Sequence, residues 1–402
     1  MNEMRCPQRS NIFMILLLLF ASSLTVTPMD VRLSYLIMLV VFLLSIPVFV
    51  KSYTISVNKV VVCLILILSI LFIIQIWVAK EWEPAGSELS RALVYMIFGI
   101  FIILYVPTRV DFEEFLLAVL IVSTGLVITG FIISLFGLTL LKTTFFSSMS
   151  NVFFGNGLYP YSSLFNNPNA LGNLTKYGSI SGIILFYRFR DRRILLFIFV
   201  SFVGLVLSQA HSEILAGILS IVLYLLYQHK FVRIFRWIVS IGLFIGTIFF
   251  VYVLFDPNNW IARMLLPRRR FLWSASLESI SRKPILGYGL GYTGDYIEAV
   301  YPKSDVVRAG LNPDAYLSSH NSFLRMFLST GIIGGLSYVY LFSYGFFLQI
   351  SSKINWKSAG VICLMFCVIV SHMLQAYLTF GLRIQSILAG FILGYALQTS
   401  NQ

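Results

Sequence analysis

The stretch 318–342 reads "SSHNSFLRMFLSTGIIGGLSYVYLF" and sets both the fold and the question of function. From Ser322 onward it is apolar and long enough for a membrane-spanning helix, which needs roughly 17–25 residues. At its mouth stand His320 and Asn321, in a chain of 402 residues with only four histidines.

Working outward, comparable apolar runs recur along most of the sequence. The chain is 58% hydrophobic and 11% charged, against roughly a quarter charged in soluble domains. Barrel strands would be about ten residues long and alternating, and these runs are neither. The expected fold is an all-α polytopic membrane protein with about twelve spans, at 11–27, 31–50, 59–79, 91–107, 114–138, 171–187, 193–209, 212–228, 233–255, 321–350, 359–378 and 382–398. The first run follows Arg5 and Arg9, lacks a small-x-small cleavage site before Pro28, and is read as a retained helix.

The net charge of +13 is concentrated in short loops between apolar runs, which orients a membrane protein and argues against nucleic acid as a partner. With a cytoplasmic N-terminus, that side collects fourteen Lys and Arg in its short loops and the opposite side six, Lys176 and Arg383 among them. Both termini are then cytoplasmic. Cys63, Cys363 and Cys367 fall inside apolar runs without a His or carboxylate beside them, and are read as small core residues.

Two stretches break the rhythm, dividing the chain into 1–255 (nine spans, with a polar loop near 139–170), a large outer loop at 256–320, and 321–402 (three spans). Loops this long are usually functional or disordered, and the aromatic content of the second favours a folded, functional one. Within it, "RRRFLWSASLESISRK" carries the pattern of an amphipathic helix at the membrane surface. The glycines Gly287, Gly289 and Gly291 form a tight turn, without the strand and helix of a dinucleotide site.

Arg268, Arg269 and Arg270 on the outer side run against the charge bias. They suit either anionic lipid headgroups or a phosphate clamp, since guanidinium forks grip phosphate oxygens in bidentate fashion. The diphosphate available there is that of a lipid-linked sugar carrier. Ser319 or Asn321 is expected to cap the tenth span, leaving His320 in its first turn, where the helix field favours the neutral base form. A cap histidine without chemistry is the plain alternative. Glu213, in the first turn of the eighth span, is read as functional or paired, with His211 as the group it holds protonated. His372 and Arg383 are candidates for the same cavity.

Taken together these residues resemble the O-antigen polymerase and ligase superfamily of membrane glycosyltransferases. "LFNNPNALGNL" (164–174) is similar to its F-x-N-P-N-x-L-G element. Arg269, followed by "RFLWSASLESISRKPILGYGLG" (270–291), is similar to R-x-x-x-W…P-x-x-G-x-G, and "HNSFLRMFLSTGIIGG" (320–335) to H-N-x-x-L…G-x-x-G. The chain departs from the pattern where the family has Ser-Arg at the eighth span; "LSQAHSEILAGIL" (207–219) offers Ala210-His211, so His211, with Lys176 or Arg282, would substitute.

The resemblance implies a metal-independent transfer, without cofactor, from a polyprenyl (undecaprenyl) diphosphate-linked glycan on the periplasmic face of a bacterial inner membrane. It implies His320 as the base, Arg269, Arg270 and His211 on the diphosphate, and Asn321, Glu213, Asn169 and Gly289 in support. Membrane lipids and a chain-length regulator are the implied partners. Polymerisation of repeat units is preferred to ligation onto lipid A-core, because the loop is compact and Ser-Arg is not kept. A flippase-like transporter, the reading from another class, would show related halves and mid-membrane polar residues.

Overall fold

The computed structural model describes residues 9–27, 29–49, 58–79, 85–135, 161–229, 232–255, 260, 269–291, 318–352 and 354–398. The described elements are helices. They are α1 (Arg9–Leu24), α2 (Val31–Phe49), α3 (Lys59–Val78), α4 (Ala85–Gly99), α5 (Phe112–Leu135), α6 (Pro168–Phe189), α7 (Arg193–Ser208) and α8 (His211–Gln228), followed by α9 (Val232–Phe255), α10 (Arg269–Arg282), α11 (Ser322–Ser351), α12 (Trp356–Leu374) and α13 (Ile384–Leu397). A π-turn (Ile100–Tyr105) and a 3-10 turn (Val106–Thr108) prolong α4.

A helix lies on each of the twelve predicted segments. Among the described residues six are long and apolar enough to cross a membrane: 59–78, 86–108, 112–133, 211–228, 322–351 and 356–374. Large apolar side chains such as Leu36, Leu66, Leu196 and Phe244 stand exposed on the periphery. That surface suits lipid, where helices alone can satisfy their own backbone.

Starts are set by asparagines whose side chains accept a first-turn N–H: Asn58 for α3, Asn167 for α6, Asn321 for α11 and Asn355 for α12. These caps satisfy donors that a helix start leaves orphaned. At α6 the cap and Pro168 in the first turn begin the helix inside the motif "NNPNALG". The predicted loop 139–170 therefore ends at 167; its part up to 160 lies outside the described residues. The predicted span 359–378 stops at Leu374 because the connection 375–383 is irregular, its carbonyls taken by side chains of α11.

Contacts sort the helix termini into two ends. At one, Asn166 bonds the carbonyls of Val26 and Thr27, and Gln75 bonds that of Leu286. At the other, Asn11 meets Arg109, Arg188 pairs with Glu113 at 2.9 Å, and the Tyr395 hydroxyl donates to the Val110 carbonyl. Every predicted site residue that is described lies at the first end. Small residues let the central helices close up: Ser123 of α5 hydrogen-bonds Ser201 of α7, and Gly178 of α6 faces Ser123, the packing by which helices associate in lipid.

Candidate functional site

The site is built around a joint between two stretches the sequence set apart. Helix α11 breaks at Gly331 (φ 69°, ψ −168°). The break frees backbone groups that a regular helix would use, and the turn after α10 takes them. Tyr288 N donates to the Leu328 carbonyl (2.8 Å), Gly289 N to the Ser329 carbonyl (3.1 Å), and Ile332 N to the Pro284 carbonyl (2.7 Å). A Cβ at 331 would run into the Ile285 carbonyl, and one at 289 (φ 108°) into Ala79. Positive φ and close approach both call for glycine.

Glu88, fully buried in α4, holds the far side of the turn. Its carboxylate accepts from Leu290 N (2.9 Å) and Gly291 N (2.6 Å) and pairs with Arg91 at 2.8 Å. The Tyr288 hydroxyl donates to the Ser279 carbonyl of α10 at 3.0 Å. The turn thereby fixes α10, with Trp273 buried beneath it, against α11.

Asn321 caps α11 by accepting from Leu324 N (2.9 Å), while its Nδ2 donates to the Met373 carbonyl (3.0 Å). His320 is not in the first turn, as expected, but one residue before the cap, in the left-handed region at φ 45°. The physical reason is the cap itself: Asn321, extended at φ −154°, starts the helix, so the chain must turn sharply just ahead of it. His320 keeps exposed surface, yet burial by surrounding protein, and next the charge of Arg269, hold its imidazole below the ordinary 6.5. Arg269 opens α10, and burial lowers its pKa against the opposing pull of Glu213. Arg269 is thus within electrostatic reach of both His320 and Glu213.

Arg270 follows half-buried in the same turn of α10. His211 is the exposed first residue of α8, two before Glu213. Asn169 lies in the first turn of α6, its N–H bonded by Asn167 (2.8 Å). Arg268 is outside the described residues.

Glu213 is paired, and the partner is Lys176. Its Oε2 is taken by Lys176, Asn173 (3.3 Å) and Ser371 (3.2 Å), and Lys176 also donates to Ser371. Lys176 and Glu213 are both buried, and Lys176 is no loop residue of the charge tally. Arg282 instead makes an exposed pair with Glu278 at 2.9 Å. His372 is also corrected. It is a buried core residue whose ring nitrogens meet the Val368 carbonyl (3.0 Å), Tyr338 (2.9 Å) and Thr379 (3.0 Å).

Sequence reasoning missed Asn173, Ser371, Glu88 and Arg325. A signal existed for two pairs: Asn173 with Lys176 and Glu88 with Arg91 stand three apart, on one helix face, in apolar surroundings.

Residues 195–339 match the family model described as O-antigen ligase. That segment is similar to the O-antigen ligase family over about a third of the chain. The matched segment runs from α7 into α11 and contains Glu213, Arg269, the Gly331 joint and His320, while Lys176 and Asn173 lie upstream of it. A relative is the ComP-specific O-oligosaccharyltransferase of Acinetobacter baylyi, 28% identical over 201 residues. That match covers 47% of this chain and 35% of the relative's length.

Proposed function

We propose that this chain is a membrane glycosyltransferase that joins polyprenyl diphosphate-linked oligosaccharide repeat units, its twelve helices spanning a bacterial inner membrane and its site facing the periplasm. The observation that carries the reading is the convergence of His320 and Arg269 from two separate elements on one corner, with the imidazole biased toward its neutral form. A base that works near neutrality and a fixed cation for the leaving charge are what such a transfer requires.

The acceptor hydroxyl gives its proton to His320 as its oxygen attacks the anomeric carbon. The bond from that carbon to the carrier diphosphate breaks, and the diphosphate leaves with the electron pair. Arg269, with Arg270 and His211, takes up the charge without a metal or cofactor. Asn321 fixes the turn that aims His320. Glu213 supports the charge of Arg269, Gly289 keeps α10 in place, and Asn169 belongs to the helix start beside them.

A second reading, ligation of finished glycan onto lipid A-core, is favoured by the description of the family and by the relative's oligosaccharyltransferase name. One experiment serves both. In cells lacking the wild-type gene, His320→Ala should express normally and lose about 10²–10⁴-fold in rate. Single unpolymerised repeat units on a glycan gel fit the polymerase; long chains held on the polyprenyl carrier fit the ligase. A wild-type ladder from well-expressed His320→Ala would overturn the role of His320 in either.

A further inference from the structure

A cavity of about 590 Å³ opens at the same end of the bundle, lined by Arg91, Arg325 and Arg383 on one side and by Leu39, Phe98 and Leu382 on another. Its size falls in the range of small-ligand sites, roughly 300–1,000 Å³. We propose that this cavity is a second substrate site, which takes the phosphate head and first apolar segment of the glycan acceptor, a phosphate-headed amphiphile. The assignment of the occupant as acceptor rests on the transferase reading above; the binding site itself does not.

Charge comes first. Among the described residues the lining contains three guanidinium groups and no carboxylate. Glu88 lies behind Arg91 and is already bound to the backbone of the glycine turn. Arg325 is held by one nitrogen, which donates to the Ala376 carbonyl at 2.9 Å. Its Nε is buried without a protein acceptor among the described residues, and a buried donor left so is uncommon unless a ligand or water meets it. Arg383, exposed at the start of α13, has no carboxylate beside it among the described residues. Guanidinium forks at this density suit phosphate better than a lone carboxylate.

The apolar wall supplies the second half. Leu39 belongs to α2 and is 46% exposed, so part of the lining lies on the apolar periphery. An occupant with an anionic head and a hydrocarbon tail satisfies both walls; a free sugar or a soluble anion satisfies one.

The cavity is separate from the His320 corner yet shares a wall with it. Tyr377 lines it and is also bonded by Asn173 of the buried cluster at 3.3 Å. Arg325 stands one turn beyond the Asn321 cap, on the same face of α11. A transfer between two lipid-linked glycans needs two phosphate sites. The donor diphosphate departs beside the base, whereas the acceptor attacks with a hydroxyl remote from its own lipid phosphate.

The full chain in nanodiscs of neutral lipid, titrated with undecaprenyl phosphate and counted by native mass spectrometry, tests this. The expected result is two bound molecules for wild type. One should remain in Arg325→Gln/Arg383→Gln, and Arg383→Gln alone should weaken one site by roughly tenfold, the loss of a charge-assisted contact. Arg383 is exposed and caps nothing with its side chain, so this single variant reads binding rather than folding. Two molecules held undiminished by both variants would overturn the site. Equal displacement by phosphatidylglycerol would overturn the acceptor assignment and mark a bulk lipid headgroup as the occupant. Arg269→Gln should also lose one molecule. If it keeps two while the cavity variants lose one, the cavity stands and the diphosphate role of Arg269 falls.

Discussion

Two polar assemblies flank His320, and they are stabilised in opposite ways. The joint between Pro284–Gly291 and the break in α11 is made of backbone groups, licensed by glycines and closed by one carboxylate. The cluster of Lys176, Glu213, Asn173 and Ser371 is made of side chains from three helices, with a full charge of each sign removed from solvent. The joint fixes where α10 lies. The cluster fixes the field in which Arg269 sits, since Glu213 pulls against the burial of that guanidinium. Geometry is thus set mainly by backbone hydrogen bonds and the field at Arg269 by a buried ion pair, so different substitutions address the two.

The largest effect is expected from the cluster. Lys176→Met should leave the Glu213 carboxylate uncompensated in the interior, a loss of about 3–5 kcal/mol when one partner of a buried pair is removed. The midpoint of thermal unfolding in detergent should fall accordingly, and Lys176→Met/Glu213→Gln should recover part of it, because neighbouring sites couple. If Lys176→Met unfolds with wild type, the pair carries no full charges and the contrast with the joint disappears.

The joint comes next. Gly331→Ala imposes a side chain at φ 69°, against the Ile285 carbonyl. Strain of this kind costs about 1–3 kcal/mol, and activity should drop further because α10 and Arg269 shift with the turn. Gly125→Ala is the control: nothing lies within 4 Å of a Cβ there, and helix propensity favours alanine. Equal stability of the two variants would show that α11 does not need its break.

The same contrast explains what the sequence reveals. Apolar run length announced the helices, and Ser319 or Asn321 marked the start of α11. The glycines at 287, 289 and 331 were visible as motif positions because their need is local, a positive φ or a close approach. Their mutual bonding was not visible, since nothing in either stretch names the other. The ion pair was harder still. Lys176 and Glu213 lie in different helices, and Glu213 had a nearer candidate in His211, two residues away. Residues i and i+2 point to different faces of a helix, so His211 gave no pointer to a partner across the bundle. The position of His320 was missed by one residue, because either Ser319 or Asn321 satisfied the capping pattern.

The smallest effect, and the one that joins the two assemblies, is in the pH profile. In the proposed role His320 is a base that works only when unprotonated, so kcat/KM should fall as pH drops through its pKa. Burial and then Arg269 hold that pKa below 6.5, which places the acid limb of the profile below the ordinary histidine value. Arg269→Gln removes the positive neighbour and leaves the burial. The residual activity should therefore show an acid limb displaced upward, though not past the ordinary value. Arg269→Lys keeps the charge and should keep the limb near its wild-type position. It should still lose about ten- to a hundredfold in rate, because an ammonium cannot reproduce the bidentate fork. The two variants thereby separate the charge of Arg269 from its shape. An Arg269→Gln profile superimposable on wild type would place Arg269 too far from His320 in the working protein to act on it. The corner formed by α10 and the α11 cap would then owe its chemistry to another cation.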